Sequence, residues 1–152
     1  MKPIILSIIL SLSAHAAEFG AYYTKVDSGE DFEKFSRTSD EELPTLARFF
    51  DLTGQVLDQL QGLRQMFDLR LVAYTRGGEG SLLVTASETS DHPGIPTEVI
   101  DTVGAGDSFT ATLCMGLLQN LPLAEINQRA CQVASFVCSQ SGATPQLPSN
   151  LI

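Results

Sequence analysis

The segment D-T-V-G-A-G-D-S-F, at residues 101–109, constrains the fold more than any other part of the chain. Two glycines flank Ala105, so the backbone can turn tightly and present successive N–H groups. The apolar run from Phe109 to Leu118 favours a helix, which places these N–H groups at a helix N-terminus, where anions bind. Asp107, at the end of the turn, is suited to act as a base toward a hydroxyl. The segment therefore indicates phosphoryl transfer to an alcohol.

The composition and the net charge limit which classes of protein and of binding partner fit this chain. The chain has 152 residues, enough for one compact domain, and an ordinary apolar fraction of 43%. Its net charge is −9, with acidic residues clustered over 27–51. Such a field repels DNA and RNA, so we expect no nucleic-acid partner. Because it also opposes a nucleotide, a phosphate site in this chain must depend on local dipoles and a bound cation.

The three cysteines are interpreted as structural. Cys114, Cys131 and Cys138 lie in apolar, helix-like stretches, and their odd number argues against a disulfide framework. No histidine lies near them in the sequence to complete a metal site. We therefore expect buried thiols in a chain that resides in a reducing compartment.

The N-terminal segment allows two interpretations. Lys2 precedes an apolar run from Ile4 to Leu12, and Ala14-His15-Ala16 resembles a signal-peptide cleavage site. The run is too short to span a membrane. A buried strand of a parallel sheet has the same unbroken, β-branched pattern. The local pattern alone slightly favours a signal peptide over an internal strand.

Residues 18–67 begin irregularly and then become helical. Residues 18–39 are polar and contain glycines, which indicates a loop with at most one short helix. Asp40-Glu41-Glu42 places negative charge in a first helical turn, and Pro44 fits an early helical position. Apolar residues then recur at helical spacing over 46–67, with a break at Thr53-Gly54. This pattern predicts two helices, or one kinked helix.

The second half of the chain alternates strand and helix patterns. The predicted elements are strands over 69–75 and 81–85, a polar loop over 87–96, and helices over 108–119 and 123–139. The turn Arg76-Gly77-Gly78-Glu79-Gly80 joins the two strands. The alternation predicts an α/β domain, with ligands at the carboxyl ends of the strands, where both glycine segments fall.

Together these residues resemble a known family. D-T-V-G-A-G-D-S-F closely resembles the C-terminal signature of the PfkB (ribokinase-like) carbohydrate kinases. The resemblance extends upstream to the strand and glycine turn over 73–81, and downstream to Ala134 and the segment over 141–143. It implies a three-layer ribokinase-like α/β sandwich, of which this chain would hold the C-terminal half of the sheet with its flanking helices.

The resemblance also implies a role for each matching residue. Asp107 matches the catalytic base, which takes the proton from the attacking sugar hydroxyl. Gly104, Ala105 and Gly106 match the anion hole that stabilises the transferred phosphoryl group. Asp101 and the carbonyl of Val103 match positions that help to bind a monovalent cation such as K⁺. The residues that match the lining of the nucleotide site are Thr75, Gly77, Gly80, Ala134 and Gly142.

One segment departs from the family pattern. The family usually carries N-x-x-E, associated with Mg²⁺ and phosphate, whereas this chain has Ser39 in place of the asparagine and retains Glu42. A serine hydroxyl is shorter than a carboxamide, so the placement of a metal ion would be weakened. The alternative is that Ser39 and Glu42 only cap a helix.

The chain has roughly half of the family's usual length, and the half without a counterpart is the N-terminal one. This favours an internal strand over a signal peptide, and a cytoplasmic chain over an exported one. We expect residues 1–39 to form an apolar strand, or signal-like segment, with a polar connection, and residues 40–152 to form a PfkB-type C-terminal kinase domain. An exposed sheet edge would favour association of two copies.

The leading hypothesis is an ATP-dependent carbohydrate kinase, similar to fructokinase or ribokinase, that transfers the γ-phosphate of ATP to a sugar hydroxyl with Mg²⁺. Its partners would be a small sugar and ATP, without a membrane. We expect weak or no activity, because positioning both reactants supplies much of the catalytic power and the family's sugar-binding residues lie in its N-terminal half. The alternative is a noncatalytic nucleotide-binding or interaction module that keeps the anion hole.

Overall fold

The computed structural model of the chain describes residues 22–27 and 32–151, which form an α/β fold. Its strands are β1 (Tyr22–Asp27), β2 (Phe32–Ser39), β3 (Leu71–Thr75), β4 (Ser81–Val84) and β5 (Thr89–His92). Its helices are α1 (Leu43–Phe49), α2 (Val56–Met66), α3 (Ala105–Leu118) and α4 (Leu123–Cys138), with 3₁₀ turns at Gly77–Glu79 and Ser149–Leu151. The strand predicted over 4–12, and the signal-peptide alternative, lie outside the described residues.

The five strands form one sheet in the order β1-β2-β3-β4-β5. β1 and β2 are antiparallel, with Tyr22 opposite Arg37, whereas β2 and β3 are parallel, with Phe35 opposite Leu71. A parallel pair needs a long crossover, and here the crossover contains α1 and α2. The connections from β3 to β4 and from β4 to β5 are short, as in antiparallel hairpins.

Helices are predicted more accurately than strands. The break at Thr53-Gly54 separates two helices, and Pro44 lies in the first turn of α1, as predicted. The loop predicted over 18–39 is wrong, because β1 and β2 occupy all of its described part. The buried side chains of β2, Phe35 and Thr38, are three residues apart and break the alternation that marks a strand.

The polar loop predicted over 87–96 is also wrong, because it contains β5. The sequence of β5, Thr-Ser-Asp-His, has no large apolar residue, and its side chains are exposed or half-buried. The strand exists because its backbone pairs with β4. Backbone pairing of this kind leaves no hydrophobic pattern to be found in the sequence.

The described chain divides into two compact units. The first holds the described part of Met1–Thr75 together with Leu83–Thr89, and the second holds Arg76–Leu82 together with the described part of Ser90–Ile152. The core of the first unit is formed by residues of α2 and the central strands, including Leu60, Leu63, Leu71 and Val72. The core of the second is formed by α3 and α4, with Phe109, Leu113, Ile126, Ala130 and Val133.

Candidate functional site

The turn before α3 is built around a left-handed glycine. Gly104 is the N-cap of α3 and has a φ of +82°, a conformation that side chains rarely adopt. A Cβ atom at this position would lie 2.3 Å from the carbonyl oxygen of Ala143, which is far inside contact distance. Glycine is therefore required both by the backbone angle and by the close approach of the segment that follows α4.

Two backbone donors at the start of α3 point to an anion site. The N–H of Ala105 donates to the carbonyl of Thr102 at 3.2 Å, and the N–H of Ser108 begins the helical ladder. The N–H groups between them, those of Gly106 and Asp107, have no acceptor among the described residues. Two adjacent open donors at the positive end of a helix dipole are suited to a phosphate group.

Asp107 lies in the first turn of α3 and is exposed. None of the side chains or backbone groups in the described ranges hydrogen-bonds to its carboxylate. The carboxylate is therefore exposed and has no structural contact of its own among the described residues. A base that acts on a bound hydroxyl needs to be accessible in this way.

Asp101 fastens the turn to the segment after α4. Its Oδ1 accepts the backbone N–H of Val103 at 3.0 Å, and its Oδ2 accepts the backbone N–H of Gly142 at 3.1 Å. These two bonds, that of Val103 first, lower the pKa of Asp101 below its ordinary value of 3.8. Both carboxylate oxygens thus have a structural role, while binding of a monovalent cation by Asp101 and Val103 stays a prediction.

The glycine turn between β3 and β4 packs against β5. Gly80 is buried with a φ of +85°, and a Cβ atom there would lie 2.0 Å from the carbonyl oxygen of His92. Gly77, with a φ of +53°, is exposed. The guanidinium of Arg76 donates to Asp91 at 2.5 Å and to the carbonyl of His92 at 3.1 Å. The Gly80 end of the turn is therefore closely packed against β5, next to the ion pair of Arg76 with Asp91.

The predicted site residues of the first unit, Thr75 and Glu42, both have structural contacts. Thr75, the last residue of β3, donates its hydroxyl to the carbonyl of Thr38 at 3.4 Å. The Oε2 atom of Glu42 accepts the N–H of Ser39 at 2.9 Å, and the Ser39 hydroxyl accepts the N–H of Glu42 at 3.2 Å. These reciprocal bonds have the residue pattern of a capping box, but they close the turn before α1: Glu42 is the N-cap of that helix, and no side chain caps it. A metal role for Glu42 stays a prediction.

The structure brings most of the predicted residues into one unit. Those of the turn and its partner segment lie together: Asp101, Val103, Gly104, Ala105, Gly106, Asp107 and Gly142. Gly77, Gly80 and the half-buried Ala134 belong to the same unit, whereas Glu42 and Thr75 belong to the first.

Sequence reasoning missed Asn127. It lies on the buried face of α4 and has no exposed surface. The signal was present, since a carboxamide stands among the apolar residues of that helix face, between Ile126 and Ala130. A polar side chain in such a place must find partners within the core.

The cysteines are unpaired, and two of the three are buried. Burial raises the pKa of the Cys114 thiol to about 11, and that of Cys131 is raised for the same reason. Cys138 is half-buried. Across residues 22–27 and 32–151, no three acidic, histidine or cysteine side chains are grouped so that they could hold a metal ion. In the same part of the chain, no helix has the length and apolarity that a bilayer span requires.

Comparison with known proteins gives a consistent result. Residues 36–150 match the model of the pfkB family carbohydrate kinases. The chain is 30% identical over 112 residues to 5-dehydro-2-deoxygluconokinase of Geobacillus kaustophilus, covering 72% of this chain and 32% of the relative. It is 27% identical over 149 residues to the nucleoside kinase of Methanothermobacter thermautotrophicus, covering 91% and 48%.

A solved structure supports the same fold. Ribokinase from Thermotoga maritima superimposes with a TM-score of 0.64 at 21% identity, covering 72% of this chain and 37% of that one. The chain spans between about a third and a half of the length of the relatives that it matches.

Proposed function

Because this chain belongs to the pfkB family of carbohydrate kinases, we propose that it binds the terminal phosphates of ATP at the turn before α3 and takes part in γ-phosphoryl transfer to an alcohol. The observation that supports the proposal most is that, among the described residues, the N–H groups of Gly106 and Asp107 have no acceptor and the Asp107 carboxylate has no hydrogen bond. The acceptor class follows from the relatives, which are kinases of sugar-related compounds and of nucleosides.

Each residue of the turn has a distinct role in this proposal. Gly104 holds the left-handed turn that aims the N–H groups of Gly106 and Asp107 at the transferred phosphoryl group, whose charge they stabilise. The Asp107 carboxylate receives the proton from the attacking hydroxyl. Gly77, Gly80, Ala134 and Gly142 line the nucleotide, as does Thr75.

Binding of the proposed cations requires few ligands from the protein. Mg²⁺ is usually held by one or two carboxylates and by substrate phosphates, which fits a chain whose described residues contain no cluster of ligands. Glu42 would supply one carboxylate oxygen, since its Oε1 has no hydrogen bond from a described residue. A bound cation neutralises charge on the phosphates, which the net charge of −9 makes necessary.

The first experiment separates the two functional hypotheses. Isothermal titration of the chain with MgATP measures binding, and single-turnover reactions with γ-labelled ATP measure transfer to a panel of hexoses, sugar acids and nucleosides. Binding followed by acceptor-dependent release of ADP supports the kinase. Binding without transfer to any acceptor supports the noncatalytic nucleotide-binding module, and absence of binding contradicts both.

The base assignment predicts the largest effect of any substitution in the chain. Asp107→Asn should lower single-turnover transfer by about 10²–10⁴-fold, because the hydroxyl loses its proton acceptor. Affinity for MgATP should change by less than about twofold, since the N–H groups that bind phosphate stay in place. A variant that transfers phosphate at the wild-type rate would show that Asp107 is not the base.

A further inference from the structure

A cluster of polar side chains lies buried in the second unit, away from the phosphate turn. Asn127 of α4 and Ser81 of β4 are both fully buried, and Cys131, one helical turn after Asn127, is 7% exposed. Buried polar groups are costly unless they are hydrogen-bonded, so a cluster of this kind needs a reason to exist.

Asn127 joins α4 to both strands of the β4–β5 hairpin. Its Nδ2 donates to the carbonyl of Ser90 at 2.7 Å, to the hydroxyl of Ser90 at 3.1 Å and to the carbonyl of Ser81 at 3.3 Å. Its Oδ1 accepts the hydroxyl of Ser81 at 2.6 Å. The Ser81 hydroxyl also contacts the Sγ of Cys131 at 3.1 Å. One side chain thus fixes a helix to two neighbouring strands.

The two strand positions that Asn127 holds are next to the glycine turn. Ser81 directly follows Gly80, and Ser90 directly precedes Asp91, which is paired with Arg76 at the start of the turn. Any shift of the hairpin along α4 would therefore move the whole turn.

The same helix carries the other predicted wall of the nucleotide site. Ala134 lies seven residues after Asn127 on α4, which is close to two full helical turns and so on a similar side of the helix. Asn127 therefore controls the position of the glycine turn relative to the helix that bears Ala134. None of its hydrogen bonds to described residues reaches the turn before α3.

We infer that Asn127 is a positioning residue, which fixes the glycine turn of Gly77–Gly80 against α4 and so sets the shape of the base-binding side of the nucleotide site. The inference depends on the proposed function, since the turn has a nucleotide to bind only if that function is right. The inference assigns the two parts of the nucleotide to different elements of the site. Asn127 affects binding of the nucleoside part, and the turn before α3 binds the phosphates.

Binding of the nucleoside part and binding of the phosphates are measured separately with two ligands. The affinities of the 152-residue chain for MgATP and for magnesium tripolyphosphate are measured by isothermal titration, the second ligand having the phosphates without the nucleoside. Asn127→Leu, which keeps a similar volume but removes every hydrogen bond, should weaken MgATP binding at least tenfold and change tripolyphosphate binding by less than twofold. Gln128→Leu, at the exposed neighbouring position of α4, is the matched control and should change neither affinity.

A second, milder substitution tests the inference even if Asn127→Leu does not fold. Ser81→Ala removes only the hydroxyl that donates to Asn127, and it should weaken MgATP binding about threefold with tripolyphosphate binding again unchanged. Equal loss of both affinities in Ser81→Ala, or unchanged MgATP binding in a folded Asn127→Leu, would overturn the inference.

The wild-type chain distinguishes failure of the inference from failure of the proposed function. If it binds tripolyphosphate but gains nothing from the nucleoside, the phosphate turn is supported and the positioning role of Asn127 is wrong. If it binds neither ligand, the proposed function is wrong and the inference is lost with it.

Discussion

The starts of α1 and α3 use acidic residues in opposite ways. Before α1, Glu42 and Ser39 exchange two hydrogen bonds, so the carboxylate stabilises the turn that leads into the helix. At α3, Gly104 begins the helix without any side-chain cap, and the Asp107 carboxylate has no partner in the described part of the chain. A helix start that serves stability satisfies its donors internally, whereas one that serves binding leaves them open.

The comparison shows why the motif at α3 needs more than an acidic residue near a helix. The open donors exist only because Gly104 turns the chain sharply into the helix, and because Asp101 and Ala143 hold the turn from outside. The start of α1 contains no glycine, and its turn is held by the N–H of Asp40, which donates to the carbonyl of Thr75 at 3.0 Å. The two segments look similar in a search for acidic helix starts, yet only one has the geometry of an anion site.

The sharpest test of this contrast is the backbone of the turn. Gly104→Ala should lower the free energy of unfolding by about 2–5 kcal/mol, because a Cβ atom adds left-handed strain and a clash with Ala143. Gly142→Ala is the matched control: its φ of +85° is nearly the same but its surroundings are open, so only the strain of about 1–2 kcal/mol is expected. Urea denaturation measures both. Equal losses would mean that the contact with Ala143 does not matter.

The next effect is the loss of the hydrogen bond from Ser39 to Glu42 in the turn before α1. Glu42→Ala should lower the free energy of unfolding by about 1 kcal/mol, since the N–H of Ser39 loses its acceptor. Asp107→Ala, the equivalent change at α3, should stay within about 0.5 kcal/mol because it breaks no hydrogen bond within the described chain. The two variants are compared by thermal and urea denaturation. A larger loss at Asp107 than at Glu42 would reverse the assignment of structural and functional roles.

The smallest effect concerns the pH dependence of the Asp101 contacts. Because the backbone N–H groups of Val103 and Gly142 lower the pKa of Asp101, its ionised form stabilises the folded state above its ordinary pKa of 3.8. This stabilisation is lost as the pH falls through the lowered pKa. The difference in urea midpoint between wild type and Asp101→Asn should therefore be larger at pH 7 than at pH 3. A difference that grows on acidification would contradict this account.

The parts that the sequence predicts are those with a local physical signal. The helices α2, α3 and α4 show apolar periodicity, and the turn before α3 shows two glycines and an aspartate in a specific order. The strands β1, β2 and β5 were missed because they exist through backbone pairing, and β5 carries only polar side chains. The pairing of β2 with β3 also joins segments separated by α1 and α2, so a local pattern cannot indicate it.

In the candidate site, too, local features are predicted from the sequence and long-range contacts are not. The family signature located Asp107 and the glycines correctly at the start of a helix, because the sequence of the turn dictates its local conformation. The two bonds of the Asp101 carboxylate are less local: one reaches Val103, two residues away, but the other reaches Gly142, which is 41 residues away. The partners of Asn127 are similarly distant, in β4 and β5. Contacts of this range depend on the finished fold.

The path of the chain through the two compact units has a practical consequence. The backbone passes from the first unit to the second after Thr75, returns to the first after Leu82 and enters the second again after Thr89. The residues of β4 and of β5 are therefore divided between the two units. A single cleavage therefore cannot release either unit as one intact polypeptide. Any attempt to isolate the phosphate turn by trimming the N-terminus would also have to retain a few residues of the hairpin, or rejoin the ends by circular permutation.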